Sequence, residues 1–365
     1  MRVSWTLSIY LGRHFLHGIV LALAVLSALI LLIEVVELLR RSADRPEVTF
    51  LIVLGLALLN LPTVLQKILP FAFLFGGMYA FLRLTKTHEL IVARAAGVSV
   101  WQFLLPALII AVALGAFVIA VVNPLAAVMA SRHDNLEAKY LHGRSSLLAV
   151  SSSGLWLRQA DPGGRSVIHA QSVSQQGTEF RDVVIFRYEG SGDRFVERLD
   201  ARLAELSEGH WRLRDAILSS PDRPARTVAH SELPTNLTLK EIQDSFAAPE
   251  TLSFWALPAF IELLQEAGFA ARRYRVHWHS VLSLPFFLAA TVLIAATFSL
   301  RLTRRGATGL LVAGGAATGF ALFVVSDLVL ALGMSGKVPP LAAAWTPVGV
   351  TALLGLALLL HFEDG

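Results

Sequence analysis

The chain of 365 residues is 55% hydrophobic and only 16% charged, with a mean hydropathy of +0.61 and a formal net charge of +4. A soluble protein of this size could not keep so much apolar surface from water, and a disordered chain needs the opposite composition. Cysteine is absent, which excludes disulfide scaffolds, thiolate metal sites and cysteine nucleophiles. We therefore expect an integral membrane protein.

Six apolar stretches are long enough to cross a hydrocarbon core of about 30 Å, which takes about 20 helical residues. The first follows a basic N-terminus, is longer than a signal-peptide core of about 7–15 residues and lacks a small-residue cleavage site, so we expect a retained span. The second contains Pro62 and Pro70, which predict a kink or a protruding turn. The six stretches are Phe15–Leu39, Phe50–Leu84, Val98–Val122, Ser280–Leu300, Ala307–Gly333 and Leu341–His361.

A region of different character separates the third span from the fourth. Residues 144–250 alternate apolar and polar side chains in short runs, with clusters rich in glycine and proline between the runs. This pattern is typical of an antiparallel β-sandwich or jelly roll. We expect three spans in residues 1–143, an inserted all-β jelly-roll domain in 144–250, and a connecting helix with three more spans in 251–365. The fold class is an α-helical polytopic membrane protein with six transmembrane helices.

Basic residues near the span ends predict the orientation, because short cytoplasmic loops carry an excess of them. If the N-terminus is cytoplasmic, eight of these basic residues lie on the cytoplasmic side and four lie on the opposite side. Both termini are then cytoplasmic, and the β domain is periplasmic in a Gram-negative cell. The inside set is Arg2, Arg13, Arg83, Lys86, Arg94, Arg301, Arg304 and Arg305, and the outside set is Arg40, Arg41, Arg45 and Lys337.

Motifs for catalysis are missing from the sequence. Gly336-Lys337 lacks the upstream glycine and the following hydroxyl of a phosphate-binding loop, and there is no HExxH or GxSxG. We also expect no His/Glu cluster at ligand spacing, hence no catalytic residue, no metal site and no cofactor. Any work against a gradient must then draw on a partner or an ion.

The end of the first span carries charges at helical spacing: Glu34, Glu37, Arg40 and Arg41, with Arg45 close behind. In one interpretation Glu37 pairs with the arginines three and four residues further on. In the other interpretation the arginines form an anion site, since guanidinium groups bind phosphate in fork geometry. Arginines on the outer side also run against the usual excess of basic residues on the cytoplasmic side, so their presence needs a reason.

Two charged residues lie within spans, where such residues usually face a cavity or a partner. Lys67 in the second span either faces a cavity or a partner, or extends its ammonium group to the outer interface. Asp327 in the fifth span is either a proton carrier or a carboxylate bonded to a neighbouring helix. On the same span, Gly315 and Gly319 have the spacing of close helix packing, which we expect within the chain rather than against a partner chain or a lipid tail.

The predicted cytoplasmic segment Thr85–Gly97 forms a short amphipathic helix with His88 and Glu89 in its first turn. It either lies on the membrane surface or docks a cytoplasmic motor. Its stretch from His88 to Gly97, HELIVARAAG, resembles the segment after span two in the lipopolysaccharide export permeases, the LptF/LptG family. That family usually has serine where His88 stands.

Other segments resemble the LptG type of that family. They are Gly154-Leu155-Trp156, Asn236-Leu237-Thr238, Arg273-Tyr274 and the pair Arg40-Arg41, whereas Glu34 departs from the pattern. The resemblance implies an ABC transporter permease of the inner membrane without its own ATPase site. It also implies a heterodimer with an LptF-type permease, an LptB ATPase dimer, and a bridge of LptC and periplasmic LptA, with no nucleic acid.

The same resemblance implies roles for three residues: Arg40 and Arg41 would face the phosphates of lipopolysaccharide, and Glu89 would lie in the helix that docks on the ATPase. From their positions we also expect Arg45 and Lys67 to bind lipopolysaccharide, and His88 and Arg94 to help couple the permease to the ATPase. The alternatives are an LptF-type subunit, an ion-coupled lipid transporter that uses Asp327, and a structural or signalling protein whose β domain binds a partner.

Overall fold

The computed structural model describes residues 5–43, 45, 48–142, 148–151, 154–161, 164–173, 179–189, 194–207, 209–221, 223–235, 248–266, 270–300 and 308–363. Outside these ranges lie Arg2, Arg301, Arg304, Arg305, Asn236-Leu237-Thr238 and parts of the predicted turn clusters. The chain divides into two compact units. One comprises Met1–His142, Glu250–Trp255 and Arg272–Gly365, and the other comprises Gly143–Pro249 and Ala256–Ala271.

The first unit begins with two long helices, α1 (Trp5–Ser42) and α2 (Phe50–Lys86). At 1.5 Å per residue each is roughly 55 Å long, against a hydrocarbon core of about 30 Å. Helix α2 runs unbroken through Pro62 and Pro70, so its apolar stretch forms one helix that is longer than the core. A Cβ atom added to Gly76 would lie 2.6 Å from the Cα of Ile19, which shows that the two backbones are in contact.

The third long helix extends well past the predicted span. Short helix α3 (Glu89–Ala95) precedes α4 (Val100–Phe117), whose first turn is closed by Ser99 and Gln102 in a capping box. A π-helical segment (Val118–Val122), α5 (Asn123–Glu137) and a second π-helical segment (Ala138–His142) follow without a break. The sequence predicted the part up to Val122 and missed the polar continuation.

Three more long helices complete this unit: α7 (Arg272–Ser299), α8 (Thr308–Met334) and α9 (Pro340–Glu363). Helix α6 (Leu257–Glu266) belongs to the second unit. Helix α7 is central. In its most apolar stretch of 18 residues 61% of the residues are buried, compared with 6% in the corresponding stretch of α1 and 11% in that of α8. Its Leu288, Val292 and Ala296 pack with residues of α1, α2 and α4 in one core.

Within the described part of the chain, six helices are long and apolar enough to cross a membrane, as predicted. Gly315 and Gly319 of α8 pack against α2. A Cβ atom on Gly315 would meet the Met78 side chain at 2.6 Å, and one on Gly319 would overlap Leu74. The small-residue spacing therefore admits large side chains of α2, which confirms the expectation of packing within the chain.

The second unit contains one antiparallel sheet of seven described strands, each paired with the next in chain order. The alternating sequence pattern predicted such strands, and the all-β domain inserted between the third and fourth spans is confirmed. The strands are β1 (Leu148–Ser151), β2 (Gly154–Asp161), β3 (Gly164–Val173), β4 (Glu179–Glu189), β5 (Arg194–Ser207), β6 (His210–Ser220) and β7 (Arg223–Pro234).

This sheet folds over on itself. Strands β2 and β6 are four positions apart, which would separate them by about 19 Å in a flat sheet. Yet the indole Nε1 of Trp211 on β6 donates to the Gln159 side chain on β2 at 3.2 Å. The two halves of the sheet thus enclose a single apolar core, in which Phe180 packs edge-on against Trp211 with ring centroids 4.9 Å apart.

Candidate functional site

The C-terminal end of α1 holds two arginines on one carboxylate. Arg40 donates from Nε and Nη2 to the two carboxylate oxygens of Glu37, at 2.9 and 2.8 Å, and Arg41 donates from Nε to Oε1 at 2.9 Å. We call Glu37, Arg40 and Arg41 the arginine cluster. The pairing predicted from helical spacing is present. The Arg40 and Arg41 side chains are still 75% and 54% exposed, so a ligand anion can reach both guanidinium groups.

The arginine cluster continues onto the third long helix. Arg41 Nη1 lies 3.7 Å from Glu137 Oε1 on α5, and the other oxygen of Glu137 lies 3.3 Å from Nε2 of His133. His133 and Glu137 are one helical turn apart, and with Asp134 they place three potential ligand atoms within 4.8 Å of one another. The expectation of no His/Glu cluster at ligand spacing is therefore wrong. In the sequence HDNLE the histidine and the glutamate are four positions apart, an order of residues that differs from the HExxH motif.

Arg45 and Lys67 have other partners. Arg45 Nη1 donates to the backbone oxygen of Tyr140 at 3.0 Å, in the π-helical segment after α5. Lys67 Nζ lies 3.8 Å from Glu250 Oε1, which belongs to a 3₁₀ helix (Pro249–Thr251) where the chain returns to the first unit. Lys67 thus has a charged partner within its own chain, and its side chain is 63% exposed.

Glu34 is turned towards α2 instead of joining the arginines. Its Oε1 accepts a hydrogen bond of 2.9 Å from the side-chain amide of Asn60. Glu34 and Glu37 are about one turn apart on α1, yet Glu34 binds a neutral amide and Glu37 binds two arginines. Asp327 lies on an exposed part of α8, beside the exposed side chains of Val324 and Leu328.

The predicted coupling segment forms the short helix α3 next to the end of α2. Its buried Leu90 packs with Leu11, Leu84 and Phe103, which fixes the helix on the rest of the unit. Glu89 begins the helix, and its Oε1 accepts a 2.8 Å hydrogen bond from the Thr87 hydroxyl.

The opposite face of α3 is open. Val92 is 68% exposed, and His88 and Arg94 are exposed as well. His88 precedes the helix with φ of 63°, a left-handed conformation that side chains other than glycine adopt at a cost. The turn thereby presents His88 and Glu89 at one end of α3 and Arg94 at the other.

Comparison with known proteins covers nearly the whole chain. Residues 9–361 match the family model described as lipopolysaccharide export system permease LptF/LptG. The chain is 25% identical over 365 residues to the lipopolysaccharide export system permease protein LptG of Escherichia coli strain K12, covering 96% of this chain and 97% of that protein. It is 23% identical over 354 residues to LptG of Haemophilus influenzae, covering 94% of each.

Proposed function

The chain belongs to the LptF/LptG family of lipopolysaccharide export system permeases, and from that membership we propose that it is the LptG-type subunit of an ABC transporter. In this role it takes lipopolysaccharide out of the inner membrane and passes it to a periplasmic bridge. The six apolar helices and the similarity to LptG proteins make it a multi-pass inner-membrane protein. The sequence contains no phosphate-binding loop, so a separate LptB-type ATPase supplies the energy.

The proposed orientation puts both termini in the cytoplasm and the β domain in the periplasm. It follows from the excess of basic residues at the span ends assigned to the inside. The arginine cluster then lies at the outer end of α1, level with the lipid headgroups of the outer leaflet. Helix α3 lies on the opposite side, where an ATPase can reach it.

The arginine cluster is the observation that carries the proposal. Arg40 binds Glu37 in fork geometry and Arg41 donates one bond to the same carboxylate, so both guanidinium groups are held close together with donors left for a second oxyanion. The phosphates of lipid A are such oxyanions, and their bonds to the arginines are worth roughly 1.5–3 kcal/mol each. Arg45 and Lys67 widen the cationic surface, although each is first occupied by a partner within the chain.

The proposed path for the acyl chains uses the two least buried spans. Helices α1 and α8 leave broad apolar faces uncovered, with Val25 and Leu29 more than half exposed on α1 and Phe320 on α8. A lipid can cover such faces, and so can the paired helix of an LptF-type subunit. We propose that the lipid enters between α1 of one subunit and α8 of the other, with the acyl chains along these faces and the phosphates at Arg40 and Arg41.

The other two proposed contacts are with proteins. Helix α3 docks on the LptB-type ATPase through His88, Glu89 and Arg94, with Leu90 anchoring it to the membrane unit. The β domain extends the bridge through LptC and LptA, because the terminal strands of an open sheet can pair with a partner strand. In the described sheet those terminal strands are β1 and β7.

The decisive experiment is ATP-driven transfer of lipopolysaccharide from vesicles that contain the chain, its paralogue and the ATPase. We expect transfer by the wild type and loss of about tenfold or more in the Arg40→Glu, Arg41→Glu double variant, since two favourable contacts become repulsive. The double change to lysine should cost less, because only the fork geometry is lost. Arg202→Glu, on the exposed face of β5, is the matched charge reversal and should transfer normally. Wild-type transfer by the double glutamate variant would contradict the proposed site.

A further inference from the structure

A histidine and two carboxylates on α5 form a compact cluster outside the roles proposed so far. His133 is only 8% exposed, Glu137 is half-buried and Asp134 is exposed. Their ligand atoms lie within 4.8 Å of one another. The cluster is therefore covered on the His133 side and open to solvent on the Asp134 side.

The hydrogen bond at the far side of the His133 ring fixes its tautomer. Nδ1 lies 3.1 Å from the backbone oxygen of Leu56 on α2. A carbonyl oxygen can only accept, so Nδ1 carries the proton, and Nε2 of the neutral ring presents its lone pair. That lone pair points at Glu137 Oε2, another acceptor, at 3.3 Å. Two acceptors that face each other require a positive species between them, either a second proton on the ring or a cation.

The separation fits a bridging cation. A charge-assisted N–H to carboxylate bond is usually about 2.7–2.9 Å long, shorter than the distance found here. Two ligands of a tetrahedral zinc ion, with bonds of about 2.0–2.2 Å, lie roughly 3.3–3.5 Å apart. A histidine whose other nitrogen donates to a backbone carbonyl also has the outer hydrogen bond that usually orients a metal ligand.

The surrounding charges suit a divalent ion at this position. The carboxylates of Asp134 and Glu137 balance its charge. Arg41 lies 3.7 Å from Oε1 of Glu137, whereas Oε2 is the atom that faces His133. The guanidinium group therefore lies at the carboxylate oxygen that does not face His133.

We propose that His133, Asp134 and Glu137 form a zinc site, with Nε2 and one oxygen of each carboxylate as protein ligands. The fourth position is open to water. All three ligands belong to one helical turn, so the ion requires no change in helix packing. All three protein ligands belong to α5, and the inference stands whether or not the arginine cluster binds lipid.

The test is zinc titration of the purified full-length chain after chelator treatment, in competition with a chromophoric zinc indicator. We expect one zinc ion per chain. His133→Gln should lower the affinity by at least about tenfold, as should Asp134→Asn, whose exposed side chain can change without disturbing the packing. His17→Gln is the matched control, because His17 Nδ1 also contacts a backbone oxygen, that of Arg13 at 3.0 Å, and it should bind zinc like the wild type.

Two further measurements make the result unambiguous. X-ray absorption of the zinc-loaded chain should show a single imidazole and oxygen ligands, and magnesium in excess should not displace the zinc. Failure of the wild type to bind zinc, or wild-type affinity in both the His133 and the Asp134 variants, would overturn the proposal. His133 and Glu137 would then be an imidazolium–carboxylate pair.

Discussion

Arg41 and Glu137 connect the ends of two long helices, with 3.7 Å between Nη1 and Oε1. Arg41 also donates to Glu37 on its own helix, so the guanidinium group lies between two carboxylates. A ligand phosphate that binds Arg41 must therefore compete with one acid on α1 and another on α5. Because both acids are fixed by the fold, the strength of this competition can be measured one acid at a time.

The first prediction concerns Glu37 as a competitor of the lipid phosphate. Glu37→Gln should strengthen binding of lipopolysaccharide by about two- to fivefold, since exposed ion pairs are worth roughly 0.2–1 kcal/mol each. The measurement is titration of the reconstituted chain with fluorescent lipopolysaccharide. Glu34→Gln removes the same charge one turn earlier, from a carboxylate bound to Asn60, and should change little. Weaker binding by the Glu37 variant would mean that its role in holding the arginines outweighs its competition.

The second prediction concerns Glu89 as the residue that couples α3 to the ATPase. Glu89→Ala should lower lipid-stimulated ATP hydrolysis of the assembled transporter by about tenfold, the cost of one charge-assisted hydrogen bond at an interface. Membrane insertion should be unchanged. Thr87→Val removes the hydroxyl that donates to Glu89 and should give a smaller loss.

Glu262→Ala removes an exposed acid from α6 and serves as the control for Glu89. Normal hydrolysis together with normal lipid transfer in Glu89→Ala would exclude a coupling role. Normal hydrolysis with lost transfer would instead assign Glu89 to a step after ATP hydrolysis, at which the released energy moves the lipid.

Local patterns in the sequence predicted the parts of the site that depend on one helix. The pairing of Glu37 with Arg40 and Arg41 follows from their spacing alone. The contact with Glu137 could not be predicted in this way, because α5 continues for several turns beyond the apolar stretch that ended at Val122. Hydropathy indicates where a helix enters lipid and gives no signal for where it ends in water.

The same limit applies to contacts between distant segments. The pairing of Lys67 with Glu250 depends on the return of the chain after the β domain, which no local pattern encodes. In the β domain, alternation of apolar and polar residues predicted strands. Where the sheet folds over, Gln159 contacts residues of β6 and the end of β7, and a single buried glutamine within a strand carries no signal of its partners.

The third prediction tests Gln159 as the polar contact that joins the two halves of the sheet. Its Oε1 accepts from Trp211 at 3.2 Å and from the Thr235 hydroxyl at 2.7 Å, and its Nε2 donates to the Pro234 oxygen at 3.2 Å. Gln159→Leu leaves these buried groups without that partner, at a cost of about 1–3 kcal/mol for each unsatisfied group. Amide hydrogen exchange in β2, β6 and β7 of the full chain should become at least about tenfold faster.

Gln171→Leu is the matched control for the sheet, because Gln171 lies on the exposed side of β3. Exchange in that variant should equal the wild-type rate. Equal exchange rates in the Gln159 variant and the control would show that the apolar core, rather than the polar contact, keeps the sheet folded over.

The last prediction concerns the contact between the backbones of α1 and α2. A Cβ atom at Gly76 would lie 2.6 Å from both the Cα and the nitrogen of Ile19, and backbone atoms cannot move aside as a flexible side chain can. Gly76→Ala should therefore separate the helices and lower stability by about 1–3 kcal/mol, the usual cost of overpacking. Gly55, on the same helix, has no atom within 4 Å of its added Cβ. Gly55→Ala should be neutral or stabilising by up to about 1 kcal/mol, because alanine favours the helix.

The two alanine variants thus differ in the sign of their effect although the chemical change is identical. Thermal unfolding of the purified chain in one detergent should give a midpoint below the wild type for Gly76→Ala and at or above it for Gly55→Ala. Because α1 also carries the arginine cluster, displacement at Gly76 should weaken lipopolysaccharide binding in the titration used for Glu37. Equal unfolding midpoints for the two variants would mean that α1 and α2 are not held together at this crossing, and that the other α1 contacts, such as the burial of Phe15 among the α2 and α7 side chains, position the arginines.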